Sequence, residues 1–175
     1  VTGAAPAQRW RENEALFRRE LEEGRRWQAW AAAELATHLR PLRVEVPDYE
    51  FREHIRDAAR FTVNDCDLTI RGTAVGDVVL EVKSRPVYFG DALSYPYPTA
   101  LIDTVDGWEA KRIEPRAVLL VSRTARRILV VPTATKPRWQ VAIRRDGVRG
   151  TLDRVYEIDR ALLQSFAWLV NKLRP

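Results

Sequence analysis

The chain has 175 residues, 46% hydrophobic and 30% charged, the profile of a folded globular domain with enough length to bury a core without covalent staples. A single cysteine, Cys66, excludes a disulfide framework and a cysteine-rich zinc site, and two histidines as far apart as His38 and His54 offer no zinc spacing. No apolar run approaches the roughly 18 residues that span a bilayer, and the opening VTGAAPAQRWRENE lacks the apolar stretch of a secretory signal, so the expected setting is a cytoplasm without membrane attachment.

In chain order, residues 8–40 read as helix, with Gly24 as a break or bend and Pro41 as the stop. Trp27, Ala31, Ala32, Leu35 and Leu39 recur at helical spacing and predict a buried stripe. Leu42, Val44 and Val46 alternate with charged residues as a short strand, and residues 48–60 are ambiguous between helix and loop. Residues 65–71 (DCDLTIR) and 77–84 (DVVLEVKS) flank a turn at residues 72–76, which predicts a β-hairpin. The Pro- and Tyr-rich residues 85–100 read as an ordered loop, residues 101–105 as a strand or helix start, and residues 106–113 as a short helix. Two apolar runs, AVLLVS at 117–122 and ILVV at 128–131, predict a strand pair. Residues 132–137 follow as a loop and residues 139–157 as a strand-and-turn excursion. The stripe Ile158, Leu162, Leu163, Phe166, Leu169, Val170 and Leu173 predicts a closing helix. The expected fold is α/β, one mixed sheet flanked by helices, with residues 1–23 as a helical extension and 24–175 as the domain.

Charge is unevenly placed. Four of the 29 bases are lysine (Lys83, Lys111, Lys136 and Lys172) and 25 are arginine, so a lysine is the more informative residue here. Residues 111–149 carry eleven bases against two acids, a footprint that suits a polyanion as well as a solvated surface. Lys111, Arg123, Arg126, Arg127, Lys136, Arg138, Arg144 and Arg145 in that stretch, with Arg85 before it, are candidate phosphate contacts. Tyr95 and Tyr97, with Tyr88 and Phe89, are candidates for stacking on bases or for loop packing. Trp27, Trp30, Trp108 and Trp168 read as core, Trp139 as either an edge cap or a nucleic-acid contact, and His38 and Cys66 as structural.

The hairpin carries the chemistry. Glu81 and Lys83 are two apart and share a strand face, with Leu80 and Val82 on the other; Asp65 and Asp67 likewise share a face of the preceding strand. Normal pairing sets an aspartate beside Glu81 and Lys83. Adjacent carboxylates repel unless a cation lies between them, and oxygen donors of this kind suit Mg2+ or Mn2+. A neighbouring ammonium completes a set able to support metal-assisted phosphodiester hydrolysis.

An aspartate at one strand followed by Glu81-Val82-Lys83 on the next, after a helix with Gly24, Gln28, Ala32 and Leu35 in series, resembles the PD-(D/E)XK nuclease superfamily. The resemblance spans about residues 24–131, and the run from residue 85 to 140 resembles small phage proteins with this core. It implies a restriction-endonuclease-like core and a divalent-metal-dependent nuclease acting on DNA, more as an endonuclease, since the Gln-x-x-x-Tyr signature of the exonuclease branches is missing after Lys83. Carried over, Asp67, Glu81 and the carbonyl of Val82 bind the metal, Lys83 positions the attacking water, and Gln28 stands where an acid is frequent and orients metal-bound water or phosphate; Asp65 is a second candidate ligand. Members often dimerise to cut two strands, and the implied setting is the cytoplasm of a bacterium or a phage-infected host. Two alternatives stand beside the enzyme: a silent nucleic-acid-binding or phage assembly protein on the same fold, and a protein-binding accessory factor using the amphipathic residues 8–23.

Overall fold

The computed structural model describes residues 6–46, 67–145 and 151–175. Asp65, Cys66, His54 and the ambiguous 48–60 segment lie outside the described residues.

The first element, α1 (Pro6–His38), is one unbroken helix through Gly24, so the expected break there does not occur, and the boundary drawn between residues 23 and 24 falls inside a single element. Its C-terminal half is Ala-rich with no β-branched residue before Thr37, which favours continuation. Trp27, Ala31, Ala32, Leu35 and Leu39 are buried as the stripe predicts. Among the described residues no helix is long and apolar enough to cross a membrane.

β1 (Arg43–Glu45) runs antiparallel to β2 (Leu68–Thr73), and β2 pairs antiparallel with β3 (Gly76–Arg85) in the register Leu68 to Leu80. The hairpin turns at Ala74 and Val75. An extra residue on β2 is absorbed next to Gly72, and both Gly72 (φ 72°) and Gly76 (φ 90°) occupy the left-handed region that side chains avoid. β3 then pairs in parallel with β5 (Ala117–Ser122), which pairs antiparallel with β6 (Arg127–Pro132) and, through it, with β9 (Gln164–Ser165). The result is a six-stranded mixed sheet in the order β1-β2-β3-β5-β6-β9. Central β5 is buried at every position, which explains why its sequence is a continuous apolar run rather than an alternation.

The crossover between β3 and β5 contains β4 (Thr99–Thr104) and α2 (Val105–Glu109). β4 does not join the main sheet. It pairs with β8 (Leu152–Asp159), which pairs with β7 (Gln140–Arg145), giving a second sheet in the order β4-β8-β7. The expectation of one sheet is thus corrected to two: an α/β fold with a mixed sheet, a few helices and a smaller antiparallel sheet.

Two cores follow. Leu68, Leu80, Val82, Leu119 and Val130 face α1 and α3 (Phe166–Leu173), while Val118, Leu120, Leu129 and Val131 face the other way, onto Phe89, Ile102, Trp108 and Ile158. The predicted closing helix from residue 158 is also corrected. Ile158 lies in β8, Asp159 accepts a hydrogen bond from the Ala161 N–H to cap a 3-10 turn, and α3 starts only at Phe166, where the Ser165 hydroxyl accepts from the Trp168 N–H. The loop expected at 132–137 is a 3-10 turn, Thr133–Arg138.

Leu35 is fully buried where α1 meets the sheet. Leu35→Ala should lower unfolding free energy by about 3 kcal/mol in urea titration; a loss under about 1 kcal/mol would contradict close packing of α1 on the sheet.

Candidate active site

The hairpin register sets Asp67 across from Glu81, since Leu68 faces Leu80 and the Asp67 N–H donates to the Leu80 carbonyl at 3.1 Å. Leu68, Leu80 and Val82 point into the helix-side core, so alternation turns Glu81 and Lys83 toward the second sheet. Asp67 is held twice: Oδ2 accepts the Val82 N–H at 2.7 Å, and Oδ1 accepts Nε2 of Gln28 from α1 at 2.6 Å. Gln28 is thereby joined to the hairpin across 39 residues of sequence.

Glu81 is 5% exposed, and each of its oxygens faces an ammonium: Lys83 Nζ at 2.8 Å from Oε1 and Lys111 Nζ at 2.9 Å from Oε2. Both lysines also reach Oδ2 of Asp103, Lys83 at 3.0 Å and Lys111 at 3.7 Å. Glu81, Lys83, Asp103 and Lys111 therefore form a closed ring of alternating charge. Glu81 and Lys83 come from β3, Asp103 from β4, and Lys111 from just beyond α2. A β-bulge places Ile102 as the extra residue opposite the Glu157–Tyr156 step of β8, and this local kink aims Asp103 at the lysines. Thr104 caps α2 by accepting the Gly107 N–H, which fixes the short helix leading to Lys111.

Burial pushes the Asp67 carboxyl up from its ordinary 3.8 to about 6, and the neighbouring Glu81 charge adds to this; the Val82 N–H and the two lysines oppose it. Burial works against the charge on Lys83, but Glu81 and Asp103 overcome it and hold the ammonium above its ordinary value. Lys83 is therefore a fixed cation, suited to orienting a water or stabilising an anion rather than to accepting a proton.

Among the described residues no group of three or more His, Cys, Asp or Glu side chains is arranged to hold a metal by itself. The donor chemistry nevertheless suits a hard divalent cation: two adjacent carboxylates, and the buried Oε1 of Gln28, which accepts no hydrogen bond. An oxygen set of two carboxylates and an amide, completed by water, is what Mg2+ takes.

Sequence reasoning missed Asp103 and misassigned Lys111. Lys111 is not a surface phosphate contact; its side chain is 5% exposed inside the charge ring. The scarcity of lysine was the available signal, since half of the four lysines lie in this ring. For Asp103 the signal was a lone acid in the apolar run LIDTV. Two further assignments are corrected. Arg85 turns inward to the carbonyls of Leu101 and Ser84, and Tyr95 is 4% exposed, packed against Phe89 with no face free to stack. Trp139 is likewise buried, edge-on to Trp108. Arg123 pairs with Glu20 and Glu23, Lys136 with Glu109 and Glu114, and Arg144 with Glu157. Tyr97, Arg126, Arg127, Arg138 and Arg145 are exposed.

No protein-family model, no curated protein and no solved structure matches this chain.

Asp67→Asn tests the electrostatics. The carboxyl binds its proton more tightly folded than unfolded, so its contribution to native stability falls as pH rises from about 4 to about 6 and is flat above. Asparagine removes that penalty and, with Gln28 turned about, keeps both hydrogen bonds. The variant should gain stability over the parent through this window, reaching about 3 kcal/mol at pH 7.5 by denaturant titration. An Asp67→Asn chain less stable than the parent at pH 7.5 would contradict the buried-carboxylate account.

Proposed function

We propose that the chain is a divalent-metal-dependent nuclease that hydrolyses phosphodiester bonds in DNA endonucleolytically, on a restriction-endonuclease-like core. The observation that carries this is the convergence of Asp67, Glu81 and Lys83 from adjacent strands, where a half-buried and a buried carboxylate lie side by side, with Gln28 of α1 hydrogen-bonded to the first. This is the aspartate, glutamate and lysine set, with the preceding helix, that the motif resemblance implies.

Asp67 and Glu81 would hold Mg2+ or Mn2+, with the Gln28 amide oxygen and the Val82 carbonyl as further oxygen donors. When bound, the metal activates water and neutralises charge on the scissile phosphate. The protein's own groups do the rest. The Val82 N–H holds Asp67 in one orientation, and the Gln28 amide fixes its second oxygen. Lys83, the more exposed of the two lysines at 23% against 5% for Lys111, faces outward enough to orient water and stabilise the developing negative charge. Lys111 and Asp103 position it: with Glu81 they hold the Lys83 ammonium between two carboxylates. One observation favours the silent DNA-binding alternative, namely that both Glu81 oxygens already face ammonium groups.

A supercoiled-plasmid nicking assay separates the two. With Mg2+ or Mn2+ the parent should convert plasmid to nicked and linear forms, and EDTA should abolish this. Lys83→Ala and Glu81→Gln should each lower the rate at least 100-fold. No metal-dependent cleavage by the parent, or full cleavage by Lys83→Ala, would overturn the enzymatic reading.

A further inference from the structure

The β7–β8 ribbon separates its charges by face. In the antiparallel register, Val141 faces Tyr156, Ile143 faces Arg154 and Arg145 faces Leu152, so these six share one side. On the other side Gln140, Ala142 and Arg144 face Glu157, Val155 and Asp153. All three acids of β7 and β8, Asp153, Glu157 and Asp159, lie on that second side. There Glu157 takes Arg144 through two hydrogen bonds at 2.5 and 2.9 Å and the Thr99 hydroxyl at 2.8 Å. The one arginine of the second side is therefore engaged by an acid there, whereas the first side carries two guanidinium groups and no acid from β7 or β8.

The first side is also continuous with the candidate active site. Asp103 pairs with Tyr156, so Val141, Tyr156 and Asp103 form one row across the three strands. Arg154 and Ile143 lie one row further out, at about 7 Å along the strands, and Arg145 and Leu152 one row beyond that. Tyr156 is packed against the second core, but Val141 beside it is 51% exposed and the outer rows are not covered: Ile143 is 65% and Leu152 73% exposed, with Arg145 and Arg154 also exposed. Three aliphatic side chains thus stand in water beside two cations on one face, and a contiguous exposed apolar patch is a mark of an interaction surface. Such a mixture suits a ligand with anionic groups at its rim and apolar edges within.

We propose that this face of the β7–β8 ribbon is a duplex-DNA arm: Arg145 and Arg154 contact phosphates while Val141, Ile143 and Leu152 meet sugars and base edges, holding the duplex against the Asp67–Glu81–Lys83 site. Charge complementarity selects a polyanion, and a two-stranded antiparallel ribbon is a shape the major groove of B-DNA admits, whereas the deep, narrow major groove of an RNA duplex does not. The proposal rests on the nuclease reading for the class of ligand, and goes beyond it in assigning the surface. Arg154 lies outside the basic stretch that charge counting picks out, and Arg144 inside that stretch is taken by Glu157.

The test is equilibrium binding of a fluorescent 30-base-pair DNA duplex by anisotropy, in EDTA so that cleavage plays no part, at several salt concentrations. Arg145→Ala/Arg154→Ala should bind at least tenfold more weakly, and the slope of log affinity against log salt should shrink by about 2, near 0.9 per lost phosphate contact. Ile143→Asp should weaken binding with the salt slope little changed. Both changes are at exposed positions, and an unaltered thermal transition checks that the fold is intact. Parent-like affinity and slope in the double variant would overturn the arm, as would tighter binding of a single strand or an RNA duplex than of the DNA duplex. Arginine-dependent binding together with no metal-dependent nicking would leave the arm standing and remove the nuclease reading.

Discussion

Glu81 is the carboxylate on which the site depends. Burying one carboxylate is costly, and its attraction to a single ammonium does not reliably repay that cost. Here each oxygen has its own ammonium, and the two ammoniums share a second carboxylate, Asp103. The ring has no net charge and every member faces two of opposite sign. It also ties the molecule together, because Glu81 and Lys83 belong to the six-stranded sheet, Asp103 to the three-stranded one and Lys111 to the end of the crossover. Removing one member strands a buried charge, a more severe change than losing a surface pair.

Against this satisfied ring stands a corner that is not satisfied. Asp67 is held by the Val82 N–H and the Gln28 amide, yet it sits beside Glu81 in a place that favours the protonated acid, and the Gln28 carbonyl oxygen is buried without a donor. A chain selected for stability alone would place an apolar residue or an asparagine there. Locally unfavourable polar arrangements of this kind collect where a protein has chemistry to perform, and the rest of the fold carries their cost. The satisfied half fixes the lysines; the unsatisfied half is where a cation would relieve repulsion.

Local patterns in the sequence were a good guide wherever the partner was close by. The hairpin, its turn, the strands AVLLVS and ILVV, and the face shared by Glu81 and Lys83 all follow from alternation and short connections. Long-range partners were not legible. β4 finds its neighbour in β8, more than 50 residues on, so the lone acid in LIDTV marks Asp103 as unusual but nothing local sets it beside Glu81 or separates the second sheet from the first. The apparent helix from residue 158 misled for a different reason. Ile158 and Leu163 serve the core between the sheets, while Leu169, Val170 and Leu173 serve the core beneath α1; two unrelated sets of buried residues happen to add up to one helical period. The basic stretch dissolved likewise, since acids from α1, α2 and β8 neutralise several of its members.

The most direct measurement is a crystal grown or soaked with Mn2+ and its anomalous difference density. The account predicts one strong peak at Asp67 and Glu81, with the Gln28 amide oxygen turned toward it and the Lys83 ammonium still beside Glu81. Density elsewhere on the molecule, or none at these carboxylates at millimolar Mn2+, would show that Glu81 serves only to bind the two lysines, and the metal-centred account would fall.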